Sequence, residues 1–143
     1  MLNLDSFYKA RYVLSQVIRR TDLVQAPRLN PEADIYLKPE NLQVTGSFKV
    51  RGACYKISQL TDEEKARGVI ACSAGNHAQG VAYAAKCFGV KATIVMPTTT
   101  PLMKVNRTKS YGAEVVLYGD VYDEACARAY ELAEEMGYTF IHP

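Results

Sequence analysis

The sequence lacks any strong excess of charge and any long apolar run. Its 17 basic and 15 acidic residues leave a formal net charge of +2 over 143 residues, which gives no electrostatic reason to expect nucleic acid or an anionic membrane as a partner. No apolar stretch approaches the length of a membrane span, and residues 1–5 lack the charged-then-apolar layout of a signal peptide. Nucleic-acid-binding and membrane proteins are therefore disfavoured.

The sequence also lacks paired cysteines. Its four cysteines lie far apart, with no Cys-x-x-Cys spacing, at Cys54, Cys72, Cys87 and Cys126. They indicate neither a disulfide framework nor a metal site. Each falls within an apolar run, as buried free thiols usually do. We therefore predict buried thiols, no bound metal and a reducing, cytoplasmic location.

What is present is the composition of a soluble globular protein, with 48% apolar and 22% charged residues. The chain is long enough for one domain with its own core. Residues 21–30 look irregular. Hydrophobic spacing and turn residues predict helices over about 4–18, 49–60, 61–67, 78–88, 102–111 and 123–136, and strands over about 35–38, 69–73, 92–96, 114–118 and 138–141.

From residue 69 onward the predicted strands are apolar on both faces and alternate with helices. This pattern is typical of an α/β fold with an open, mostly parallel sheet flanked by helices. The chain stops on a strand without a C-terminal cap, which suggests a fragment of a longer protein.

The stretch Thr45–Ala53 places a glycine turn and two hydroxyl residues ahead of a lysine. Thr45 or Ser47 is a natural N-cap for the helix that follows. Lys49 then falls in the first turn, where the helix dipole disfavours positive charge. Such a place suits a lysine that attacks a carbonyl as a neutral amine. The alternative is an ordinary surface lysine near a helix start.

A second stretch, Ser73–Gly80, joins the end of a strand to the start of a helix. Ligands of open parallel sheets bind at that end of the strands. Gly75 allows close approach of a ligand, the first helical amides can bind a carboxylate, and Asn76 can bond a ring hydroxyl. The alternative is an ordinary turn, with Asn76 as a cap and His77 exposed. His77 is a weaker candidate for a base than Lys49.

Together these stretches resemble the serine/threonine dehydratase family, whose members are fold-type II enzymes that use pyridoxal phosphate. Within that family they resemble the threonine dehydratases, in particular those of the catabolic kind. The resemblance covers essentially the whole chain. The residues that carry it are Ser47-Phe48-Lys49-x-Arg51-Gly52-Ala53, Ser73–Gly80, Lys38-Pro39-Glu40-Asn41, Val95-Met96-Pro97 and Gly112-Ala113-Glu114-Val115.

The resemblance implies roles for individual residues. Lys49 would be the Schiff-base lysine and the proton-abstracting base, Phe48 would pack near the cofactor ring, and Asn76 would bond its phenolic oxygen. The loop that holds the substrate carboxylate would comprise Ser73, Ala74, Gly75, Asn76 and His77. Residues 45–143 would form the small domain of the fold, and residues 1–44 would belong to the large domain. The family's phosphate-binding glycine loop, and the metal site of some relatives, would lie beyond this chain.

The implied reaction is the dehydration and deamination of L-threonine, and also of L-serine, to a 2-keto acid and ammonia. The resemblance implies that the 143-residue chain alone has little or no activity. Two rival functions stay open. One is a serine racemase, because the same lysine chemistry serves it, and the other is a non-catalytic αβ module that binds a partner. An exposed apolar patch would favour association, including a homo-oligomer.

Overall fold

The computed structural model describes residues 3–143, and they begin with helix α1, Leu4–Leu14. Asn3 caps this helix, because its side-chain oxygen accepts a hydrogen bond from the Ser6 amide at 2.9 Å. The helix ends four residues before the predicted boundary at Ile18. The following segment is held instead by the hydroxyl of Tyr83, which donates to the Val17 carbonyl at 2.7 Å.

A short antiparallel hairpin follows, formed by β1 (Val24–Gln25) and β2 (Tyr36–Leu37). Strand β1 lies in the stretch predicted to be irregular. Both of its residues are exposed, so it carries no apolar alternation that a sequence pattern could reveal. A single 3₁₀ turn, Glu40–Leu42, then leads towards Lys49.

The remaining helices and strands alternate, with bounds close to the predicted ones. The helices are α2 (Lys49–Ser58), α3 (Asp62–Arg67), α4 (Asn76–Phe88), α5 (Leu102–Ser110) and α6 (Tyr122–Met136), and the strands are β3 (Val69–Cys72), β4 (Ala92–Met96), β5 (Glu114–Leu117) and β6 (Thr139–Phe140). None of the helices between residues 3 and 143 combines the length and the apolar character needed to cross a membrane.

Strands β3 to β6 form one parallel sheet in the order β5-β4-β3-β6, which confirms the predicted α/β class. The two central strands are buried along their whole length. On one face, Ala71 and Ile94 pack with residues of α2 and α4. On the other face, Ile70 and Val95 pack with small residues of α6. The sheet is therefore covered on both faces.

The prediction of buried thiols is correct for Cys54 and Cys72 but wrong for Cys87, which is exposed, and Cys126 is half-buried. Cys87 lies near the end of α4, beside the exposed Lys86, so its apolar sequence neighbours do not enclose it. Burial raises the pKa of both Cys54 and Cys72 to about 12.

Candidate functional site

Lys49 is the first residue of α2, in the first turn as predicted. The predicted N-cap is wrong, however. The cap residue is Phe48, whose backbone is already helical and whose side chain makes no capping hydrogen bond. Ser47 assists from one position further out, because its hydroxyl oxygen accepts from the Lys49 amide at 3.3 Å. Thr45 is buried and lies against the Ser47 carbonyl instead.

Helices α2 and α4 meet at Gly80. A Cβ atom added at Gly80 would lie 3.2 Å from the carbonyl carbon and oxygen of Lys49 and from the amide nitrogen of Val50. This separation is tighter than an ordinary van der Waals contact, so α4 packs directly on the backbone that carries the lysine. Gly80 thereby sets how closely the two helices approach.

The loop after β3 lies at the carboxyl end of the parallel sheet, where α4 begins at Asn76, two residues earlier than predicted. Gly75 is the N-cap residue, so Asn76 does not cap the helix and its side chain is exposed. The Ser73 hydroxyl accepts from the Gly75 amide at 3.2 Å. The first amides of α4 have no partner within the helix, which suits them to an anion.

His77 is buried, and the alternative in which it is exposed is wrong. Its Nε2 atom lies 2.9 Å from the Ile141 carbonyl oxygen, just beyond β6. Burial lowers the pKa of His77, opposed by the hydrogen bond to Ile141, with a further lowering by the charge on Lys49. The neutral ring donates to a carbonyl and joins the start of α4 to the end of β6. The carboxyl ends of β3 and β6 are therefore held together at the site.

Lys49 opens onto a cleft of about 260 Å³. Phe48 is 59% exposed beside it, and the Lys49 Nζ atom lies 5.6 Å from the centre of the Phe48 ring. The cleft is lined by Phe48, Lys49, Arg51, Gly52, Ala53, His77, His142 and Pro143. Three predicted site residues thus share one cleft, whereas Ser73–Asn76 belong to the adjoining loop. Space also lies next to Gly75, because an added Cβ there would meet no atom within 4 Å.

Sequence reasoning assigned no role to a polar cluster formed by Thr21, Glu40 and Arg51, the last of which is two residues after Lys49. The Arg51 guanidinium forms two hydrogen bonds with Glu40, Nε to Oε2 and Nη2 to Oε1, both at 2.8 Å. The Thr21 hydroxyl donates to the same carboxylate at 2.5 Å. The hydrogen bond from Arg51 holds the pKa of Glu40 at about 2, against the opposing effect of burial. Glu40 and Arg51 both occur in the motifs that carry the family resemblance. Nothing in the sequence around Thr21 indicates that its hydroxyl bonds to them.

A larger groove of about 1010 Å³ lies between α1 and residues 18–23. It reaches Arg51 but not Lys49. Most of its polar lining consists of side chains of one charge, namely Arg11, Arg19, Arg20, Lys38 and Arg51. The amine of Lys38 in this groove is engaged by the Thr21 carbonyl, so the smaller cleft is the better candidate for chemistry.

The chain is similar to known proteins over its whole length. A family model described as pyridoxal-phosphate dependent enzyme matches residues 14–143. An L-threonine ammonia-lyase of Thermotoga maritima is 50% identical over the whole chain. The structure of threonine deaminase isoform 2 from Solanum lycopersicum superposes with a TM-score of 0.87 at 40% identity, and maize serine racemase does so with 0.91 at 33% identity, each over 99% of this chain.

The chain spans only part of the length of these relatives. It covers 36% of the Thermotoga maritima protein, 41% of the tomato deaminase chain and 44% of the maize racemase chain. The agreement with the two structures includes the open parallel sheet and its flanking helices.

Replacing Gly80 by alanine should destabilise the protein by about 1–3 kcal/mol, because the new methyl group would press on the Lys49 backbone. Gly52→Ala is the matched control, since a Cβ there meets nothing within 4 Å. It should stabilise α2 by roughly 0.5–1 kcal/mol, the usual gain of alanine over glycine. Urea unfolding measures both changes. Two changes of the same sign and size would contradict the close packing.

The Glu40 carboxyl should make the stability of the protein depend on pH. Its pKa falls from an ordinary 4.5 to about 2 in the folded state, so its contribution is present above pH 4.5 and is lost as the pH falls towards 2. The advantage of the wild type over Glu40→Gln in unfolding free energy should shrink by roughly 2 kcal/mol across that range. Urea unfolding at several pH values measures it. Glu135→Gln, which removes a carboxylate from an exposed ion pair with Arg128, should show little such dependence.

Proposed function

Because the chain belongs to the family of pyridoxal-phosphate dependent enzymes, as its motifs predicted, we propose that it carries the reactive lysine of a threonine ammonia-lyase. The whole enzyme would convert L-threonine, and also L-serine, to a 2-keto acid and ammonia. The identity of 50% to an L-threonine ammonia-lyase supports this substrate class. The activity is proposed for the protein at the length of its relatives, of which this chain spans 36% in that case.

The observation that carries the proposal is the place of Lys49. Its amine is at the start of α2, beside an exposed aromatic ring and on a cleft at the carboxyl end of the sheet. An amine can bond an aldehyde, an aromatic face can pack on a pyridine ring, and an exposed side-chain amide, here from the adjoining loop, can bond a ring hydroxyl. The residues present therefore fit the family's cofactor. Lys49 would hold it through its amine, Phe48 would face its ring, and Asn76 would bond its hydroxyl.

When bound, pyridoxal phosphate accepts the electron pair that is left when the substrate loses its Cα proton. This chain's residues supply position and proton transfer. The Lys49 amine would take the Cα proton, and the loop Ser73, Ala74, Gly75, Asn76 and His77 would bind the carboxylate through its backbone amides. His77 would act structurally, because its Nε2 is bonded to the Ile141 carbonyl and burial lowers its pKa.

We also propose the predicted division of the chain, with residues 1–44 as part of a large domain and residues 45–143 as the small domain. The β1–β2 hairpin forms a sheet separate from the parallel one, which supports the division. Exposed apolar side chains on α1, Phe7 and Tyr12 among them, would suit contact with further parts of a large domain. The homo-oligomer and the cytoplasmic location stay predictions.

A serine racemase is the second candidate, since the maize enzyme superposes at a TM-score of 0.91. The same lysine would serve as base in either enzyme. Product analysis of the full-length protein separates them: 2-oxobutanoate from L-threonine supports the lyase, and D-serine from L-serine supports the racemase.

The proposed site predicts selective modification of Lys49. The chain is incubated with pyridoxal phosphate, reduced with borohydride and digested, and the modified lysines are mapped by mass. We expect the label chiefly on Lys49, because its amine borders the cleft as well as the Phe48 ring. Lys91 also lies beside a ring, that of Tyr138, but its amine is engaged by the Tyr138 hydroxyl and by Glu114. Lys49→Arg should remove that label. Lys56→Arg, which changes an exposed lysine of the same helix, should leave it in place.

Labelling spread evenly over the lysines would contradict the proposed site. It would also favour the rival function of a non-catalytic module.

A further inference from the structure

We propose that Glu40 and Arg51 are positioning residues for Lys49, with Thr21 as their support. Their ion pair would fix the first turn of α2 and, through it, the direction of the lysine amine. This inference rests on the proposed function of Lys49.

The ion pair has the geometry of a rigid connection. Two parallel hydrogen bonds of 2.8 Å join the guanidinium to the carboxylate, and such a fork constrains orientation as well as distance. Thr21 bonds both partners, donating to Glu40 at 2.5 Å and accepting from Arg51 Nη2 at 3.3 Å. The Glu40 side chain is only 14% exposed and that of Arg51 32%, so solvent weakens the pair less than it weakens a surface pair.

The start of α2 has little side-chain capping. The first turn of a helix has amides without intrahelical partners, and it frays unless they are capped. Phe48 supplies no side-chain cap, and Ser47 offers one rather long hydrogen bond, at 3.3 Å. Arg51 lies in that same first turn, two residues after Lys49. The ion pair of Arg51 with Glu40 therefore restrains the first turn of α2, which side-chain capping holds only weakly.

The far end of the connection is itself firmly held. The Gln43 side chain accepts from the Arg19 amide at 2.9 Å and donates to the Arg19 carbonyl at 2.7 Å. Gln43 is almost fully buried. Lys38 donates to the Thr21 carbonyl, and the Tyr83 hydroxyl on α4 donates to the Val17 carbonyl at 2.7 Å. Residues 17–21 are thus hydrogen-bonded both to residues on either side of the 3₁₀ turn Glu40–Leu42 and to α4.

Glu40 also governs where the charge of Arg51 points. Arg51 lines the cleft that Lys49 opens onto. Its Nε and Nη2 atoms, however, donate to Glu40 and Thr21 and not into the cleft. Without the carboxylate, the guanidinium would be free to turn into the cleft. It would then compete for an anionic group or repel the protonated lysine.

The test compares the share of pyridoxyl label on Lys49 with that on the other lysines, after borohydride reduction and mass mapping. The variants are Glu40→Gln, which neutralises the carboxylate, and Arg51→Lys, which keeps the charge but removes the fork. Glu135→Gln and Arg128→Lys are the matched controls, because they alter an Arg–Glu pair on α6. All labelling is done where circular dichroism shows native signal, and amide hydrogen exchange at residues 49–52 reports order in the first turn.

We expect the ratio of label on Lys49 to the mean label on the other lysines to fall by roughly tenfold or more in both site variants, since small displacements of a reactive group have large effects. Exchange at residues 49–52 should rise in parallel, and both α6 controls should match the wild type. If either site variant fails to fold, Thr21→Val replaces it, because this change removes the supporting hydroxyl and leaves the ion pair. The ratio of label on Lys49 to label on the other lysines should then fall in Thr21→Val.

If the wild type is labelled selectively on Lys49 and the folded site variants are labelled just as selectively, the positioning role is overturned and the proposed function stands. A wild type without selectivity for Lys49 would overturn the proposed cofactor site in this chain and, with it, the positioning role.

Discussion

The close packing of α4 on α2 is the constraint on which the candidate site depends. Because Gly80 has no side chain, the α4 backbone can lie against the Lys49 backbone, where even a Cβ would be 3.2 Å away. Both helices begin near the cleft, so this contact brings a lysine and a set of helix-start amides to one place. A larger residue at Gly80 would move the two apart, whatever the rest of the sheet did.

The sheet gives this helix pair its direction. Parallel pairing of β3 with β4 and β6 brings the carboxyl ends of all three strands to one edge. His77 joins that edge by its bond to the Ile141 carbonyl, and Arg51, two residues after Lys49 on α2, is paired with Glu40. The apolar core fixes the helices, and the proposed role of the polar contacts is to orient Lys49.

The sequence predicted most of this fold, and the parts that it missed have identifiable causes. Strand β4 has the predicted bounds, 92–96, because both of its faces are buried and its whole run is apolar. Helix α3 lies within its predicted range because its start is a local signal, a capping box in which the side chains of Thr61 and Glu64, three residues apart, each bond the other's backbone amide. Strand β1 was missed because two exposed residues show no pattern. The burial of His77 and the part of Thr21 depend on partners 64 and 19 residues away, which no local pattern contains.

The most direct test of the central claim is a crystal structure of the chain grown with pyridoxal phosphate. We predict continuous electron density from the Lys49 Nζ atom into the cleft, with the pyridine ring against Phe48 and its hydroxyl towards Asn76. Density for the cofactor on another lysine, or in the groove beside α1 with Lys49 unmodified, would contradict the account.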